Sequence, residues 1–63
     1  MGRIVWIVMS GLVEDMDFTN FEGVFADYDK AKEYVEKCNA IMSNDGYFYN
    51  SAEIYDIRQE KVR

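Results

Sequence analysis

From Arg3 to Val13 the chain is apolar in both phases of a two-residue repeat: Ile4, Trp6 and Val8 fall in one phase, Val5, Ile7 and Met9 in the other. The β-branched residues, together with Ser10-Gly11 inside the run, predict a strand rather than a helix. Glu14 to Asn20 is polar and acidic and predicts a hairpin loop. Phe21 to Phe25 then resumes as a second strand, with Gly23 marking a bulge or a close contact. Asp27 is suited to cap a helix, and Asp29 falls in its first turn, where a carboxylate complements the helix dipole. Tyr28, Ala31, Tyr34, Val35, Cys38, Ile41 and Met42 recur at spacings of three and four and share one helical face, while Lys30, Lys32, Glu33, Glu36 and Lys37 mostly point away. Ser43-Asn44-Asp45-Gly46 predicts the turn that ends this helix. Tyr47 to Arg58 supplies the last strand, clearest from Ala52 to Ile57. Its register stays open, since Ala52 and Ile54 lie in one phase and Tyr55 and Ile57 in the other.

The expected fold is therefore α+β, with the elements in the order ββαβ. A right-handed crossover through the helix makes the second and third strands parallel. The first strand then lies between them and antiparallel to both, giving a three-stranded antiparallel or mixed sheet of order 2-1-3 with one helix on one face. One helix covers one face only. An antiparallel sheet with a solvated face normally alternates apolar and polar residues, and the first strand does not. One of its two apolar rows is left without cover, and with neighbours such as Phe21, Phe25, Tyr55 or Ile57 it forms a patch of the kind that marks interfaces. The competing expectation is that loop residues such as Phe48 and Tyr49 fold back and close that face.

The 63 residues contain no proline and no repeat, so a single domain spanning 1–63 is expected. A domain of this size buries only about 60% of the surface its unfolded chain exposes and is marginal by itself. Cys38 is the single cysteine and histidine is absent, which removes an internal disulfide and the usual zinc ligand sets. Association remains as the stabilising device, and a homo-oligomer, most simply a dimer, is expected. The apolar start is too short to span a bilayer and has no signal-peptide cleavage pattern, so a cytoplasmic location is expected.

Net charge is −5, from twelve acidic and seven basic residues. No lysine or arginine occurs between Ile4 and Asp29, a stretch that holds Glu14, Asp15, Asp17, Glu22, Asp27 and Asp29. This balance argues against direct binding of nucleic acid or an anionic membrane, and the acidic run reads first as a solvated, solubilising surface and, more sharply, as a patch that meets a basic partner. Without histidine there are no serine–histidine or cysteine–histidine pairs for nucleophilic catalysis. Glu14-Asp15-Met16-Asp17 lacks the alternating ligands and distal glutamate of an EF-hand loop, and the glycines are too scattered for a phosphate loop. No enzyme activity and no cofactor are expected. Cys38, on the apolar helix face, reads as a small core residue.

Gly23-Val24-Phe25-Ala26-Asp27-Tyr28-Asp29-Lys30-Ala31-Lys32-Glu33-Tyr34-Val35, after an apolar first strand and before a tyrosine-rich last one, resembles a pattern in small uncharacterised bacteriophage-encoded proteins: G-V-F, a short cap, then K-A-x-x-Y-V. The resemblance covers about half the chain and implies a fold more than an activity. It also implies a protein that binds and disables a host enzyme or defence component, such as a nuclease, in the host cytoplasm. The expected interface comprises Trp6, Glu14, Asp15, Asp17, Phe21, Glu22 and Tyr55, an acidic hairpin beside an aromatic sheet face. Two further readings are a nucleotide-binding sponge, using lysines beside an aromatic residue at a subunit boundary, and a structural or assembly subunit.

Overall fold

The computed structural model describes residues 2–62. The long central pair consists of β1 (Arg3–Leu12) and β5 (Glu53–Val62), antiparallel along their whole lengths from Arg3 opposite Val62 to Leu12 opposite Glu53. On the other side of β1 lies β2 (Asn20–Phe25), and helix α1 (Tyr28–Lys37) follows it. Two short strands, β3 (Ile41–Met42) and β4 (Phe48–Tyr49), form a hairpin that docks on β5. The sheet order is β2-β1-β5-β4-β3 and every pairing is antiparallel.

This corrects the expected three-stranded sheet of order 2-1-3. The class remains α+β, but the sheet has five strands because the helix ends earlier than its apolar spacing suggests. Asn39 takes a left-handed conformation (φ 65°), which asparagine tolerates better than most residues. Its N–H then reaches the Glu36 carbonyl at 3.0 Å, and the Ala40 N–H reaches the Val35 carbonyl at 3.1 Å. These paired bonds are those of a Schellman stop, and Ala40 and Val35 are both buried in the same core, as that motif favours. Ile41 and Met42 leave the helix and pair with Tyr49 and Phe48.

The hairpin turn is held by Ser43. Its N–H donates to the Tyr47 carbonyl at 2.7 Å, and its Oγ accepts from the N–H groups of Asp45 and Tyr47. Gly46 supplies the positive φ (96°) that the turn requires. The last strand also runs farther than Arg58. Its charged end, Gln59-Glu60-Lys61, pairs in that order with Trp6, Val5 and Ile4 of β1.

The core lies between the sheet and α1. Val8, Ala31, Val35, Ala40, Phe48 and Tyr55 form its buried centre, flanked by Trp6, Phe25, Tyr34, Cys38 and Ile57. Even-numbered residues of β1 face the helix, and opposite residues in the register share a face: Trp6 with Phe25, and Val8 with Gly23 and Ile57. Fully burying a valine of this kind stabilises the fold by about 1.5–3 kcal/mol.

Candidate protein-binding face

Odd-numbered residues of β1 point away from the helix, so the row without helical cover is Val5, Ile7 and Met9. Register adds Val24, opposite Ile7, and Phe21, opposite Met9. These two β2 residues share a face although three apart, because the pairing shifts between Val8 and Met9 and a bulge places both Glu22 and Gly23 between them. Phe21 is 62% exposed and Val24 53%. On the β5 side the row is bordered by Asp56, Arg58 and Glu60, and the Arg58 guanidinium donates from Nε to Asp56 Oδ2 at 2.9 Å.

One end of this face is closed. A Cβ built on Gly11 would fall on the Asp17 carbonyl oxygen, so the backbone of the acidic loop lies directly against β1 at that point. Phe18 stacks edge-on against Tyr47, and Tyr47 against Tyr49, each pair with centroids 6.3 Å apart. Ile54, opposite Gly11 in register and so on this face, is fully buried. Of the two residues expected to close the face, Tyr49 lies on it, opposite Ile54 and against Tyr47, together with Phe18 and the loop backbone, whereas Phe48 belongs to the core on the helix side. The rest of the face has no helix over it: Phe21 and Val24 are exposed there, and Val5, Ile7 and Met9 are half-buried.

The residues expected at the interface divide between the two sides of the sheet. Phe21 lies on the open face. Glu14, Asp15 and Asp17 are exposed on the loop that crosses its closed end. Trp6 lies on the helix side, half-buried, with its ring edge-on to Tyr28 at 5.1 Å. Tyr55 is only 3% exposed, in the core; its hydroxyl donates to Glu53 Oε1 at 3.2 Å, and burial is the first cause that pushes its pKa up. The bulge that Gly23 marks lies beside it at Glu22, and the residue it turns outward, Val24, is the one that the residue types alone do not bring to the face.

Glu22 also lies on the helix side. Its Oε1 accepts from the Tyr34 hydroxyl at 2.6 Å and its Oε2 from the fully buried Ser10 hydroxyl at 2.7 Å, so one carboxylate ties β2 to both α1 and β1. The Tyr34 bond, then the Ser10 bond, holds its pKa below the ordinary carboxylate range against a smaller opposing effect of burial. Tyr34 is pushed up to about 12, chiefly by the same hydrogen bond.

The two shifts set opposite limits on stability. Glu22 has a depressed folded pKa, so its contribution is present above the unfolded carboxylate value and is lost as pH falls through the folded one. Tyr34 has a raised folded pKa; its contribution is full below the unfolded phenol value of about 10 and disappears as pH rises through about 12. Tyr34→Phe is expected to cost about 1 kcal/mol near neutral pH, the partial exposure of both groups reducing the usual worth of a bond to a charged acceptor. Urea midpoints measured at acid, neutral and alkaline pH check this. The variant should lose less stability than the parent at both extremes, and equal slopes for the two would remove the Glu22–Tyr34 bond as their cause.

A cleft of about 350 Å³ opens at the seam of β2 and α1, lined by Phe25, Lys30, Glu33, Tyr34 and Lys37. Lys37 is paired with Glu33 at 3.5 Å. Among the described residues no group of three or more acidic, cysteine or histidine side chains is placed to hold a metal ion, and no helix is long and apolar enough to cross a membrane. No family model matches the chain, and neither a curated protein nor a solved structure matches it.

Proposed function

We propose that this chain acts by binding a partner protein through the sheet face that α1 leaves open, in the manner implied by its resemblance to phage-encoded proteins that disable host enzymes or defence components. The observation that carries the reading is an apolar row without helical cover, in which Phe21 and Val24 are exposed and Val5, Ile7 and Met9 half-buried, beside a loop that exposes Glu14, Asp15 and Asp17. The apolar row supplies desolvated contact, and the carboxylates favour a partner whose own apolar patch is edged with lysine or arginine, as in a nucleic-acid channel of a nuclease. Among the proposed contacts Phe21 takes the place of Trp6 as the aromatic anchor, because Trp6 packs beneath the helix. No catalytic step is assigned to the chain.

Capture from a bacterial host lysate, followed by binding measurements on the captured protein, tests the reading. Phe21→Ala changes a side chain that the core does not use, so the fold should persist while affinity falls by about 2 kcal/mol, roughly thirtyfold. Changing Glu14, Asp15 and Asp17 together to their amides should slow association at low salt and flatten its salt dependence. Equal retention of the captured protein by parent, Phe21→Ala and the triple variant would overturn this assignment of the site.

A second reading rests on the cleft, where Lys30 and Lys37 flank the tilted Phe25–Tyr34 ring pair, 5.5 Å between centroids. Such a pairing suits a small aromatic anion such as a nucleotide. Glu33, already bound to Lys37, offsets much of its positive charge, which is why the sheet face is preferred. Calorimetric titration with nucleotides, giving heat that Lys30→Gln abolishes, would favour the cleft.

A further inference from the structure

We propose that two copies of this chain join edge to edge through β5, antiparallel and in the single register centred on Gln59, to form one continuous sheet. The inference concerns the strand edge and does not depend on the function proposed for the open face. β4 pairs only with Ile54 and Tyr55 of β5. Beyond Tyr55 the outer edge of β5, from Asp56 to Val62, has no strand beside it among the described residues.

The hydrogen bonds already present show which groups that edge offers. The Glu53 carbonyl accepts from the Asn50 N–H on the outer side of β5, whereas the Ala52 carbonyl accepts from Val13 on the β1 side. Backbone groups alternate in direction along a strand, so Ile57, Gln59 and Lys61 present both N–H and C=O outward. These are unsatisfied by the sheet and form a template for another strand.

A second β5 can pair antiparallel with the first only about a two-fold axis perpendicular to the sheet, which places side chains of equal parity opposite one another. A pairing centred on Gln59 sets Gln59 against Gln59 and Ile57 against Lys61, with the outward backbone groups of all three bonded. The same register sets Arg58 of each copy opposite Glu60 of the other, on the same face. The neighbouring registers do not. Centring on Arg58 opposes Arg58 to itself and Asp56 to Glu60, and centring on Glu60 opposes Glu60 to itself. Arg58 uses Nε for Asp56, which leaves its terminal N–H groups for the second copy's Glu60. The occupant that this edge fits by charge is therefore another copy of itself. In that dimer both helices lie on one side, and both apolar faces lie together on the other.

Sedimentation equilibrium of the full chain and its variants is the test. The parent should dimerise. Arg58→Glu and Glu60→Arg should each weaken self-association about tenfold or more, since each places like charges opposite one another at two symmetric positions. An equimolar mixture of the two variants should recover a 1:1 heterodimer, because Glu60 of one chain then faces Arg58 of the other and the two substituted positions face each other with opposite sign. Gln59→Pro should give a folded monomer by circular dichroism, as the N–H it removes points outward and not to β1. A parent that stays monomeric at hundreds of micromolar overturns the proposal. So does a dimer unaffected by Gln59→Pro, or a mixture that shows no heterodimer.

Discussion

Gly11→Ala should remove most of the stability of this domain, about 3 kcal/mol, although it adds one methyl group. The added Cβ would occupy the position of the Asp17 carbonyl oxygen, with the Asp17 carbonyl carbon and the Phe18 nitrogen immediately behind it. The obstacle is backbone rather than the end of a flexible side chain, so the loop must lift as a unit. Lifting it uncovers Ile54, which is fully buried on a face with no helix, and separates Phe18 from Tyr47. Overpacking normally costs about 1–3 kcal/mol, and here the loss of burial adds to it. For a domain this small the thermal midpoint should fall by more than 10 °C, taking about 4–8 °C per kcal/mol. Gly23→Ala is the matched control, because its Cβ would meet only the edge of the Phe25 ring at 3.4 Å. A thermal midpoint unchanged in Gly11→Ala would mean that the loop does not pack on β1.

That loop contact also shows where reading the chain from its residues succeeds and where it stops. The doubly apolar first strand implies one row without cover within the chain, with closure by the loops as the competing expectation, and the structure has α1 over the even side and the loop over only one end of the odd side, at Gly11. Because both phases are apolar, alternation alone does not say which phase meets the helix, and the residue type of Trp6 points to an interface although its ring packs against Tyr28 of α1. The Glu22 bulge then shifts β2 by one position, which turns Val24 outward and brings Phe25 beneath the helix. Ile41 and Met42 continue the helical spacing of Cys38 by coincidence, and nothing in that spacing reveals that Asn39 turns left-handed and stops the helix. Strands of two residues, such as β3 and β4, are too short to carry an alternation at all. Glu22 looks like one more surface carboxylate until the register brings Ser10 and Tyr34 to it. The charged end of β5 resembles a solvated tail, yet its partner on β1 makes it a strand.

Asn50→Ala should be the most damaging change at any polar side chain, because Asn50 joins the three parts of the fold that the helix stop separates. Its Oδ1 accepts from the N–H groups of Ala52 at 2.9 Å and Glu53 at 2.7 Å, shaping the tight connection between β4 and β5. Its Nδ2 donates to the Cys38 carbonyl at 2.8 Å, so the same side chain satisfies an acceptor at the C-terminal end of α1. Alanine deletes all three bonds and leaves the Cys38 carbonyl, in a half-buried position, without that donor. At about 1 kcal/mol per bond the loss should be about 2–3 kcal/mol. Asn50→Asp separates the two roles, since a carboxylate can still accept from Ala52 and Glu53 but cannot donate to Cys38. It should retain about half to two-thirds of the stability that alanine removes, the remainder reporting the link to the helix. Chemical denaturation of the parent and both variants measures this directly. If Asn50→Asp proves as damaging as Asn50→Ala, the bond to the helix end, and not the turn, is what Asn50 contributes.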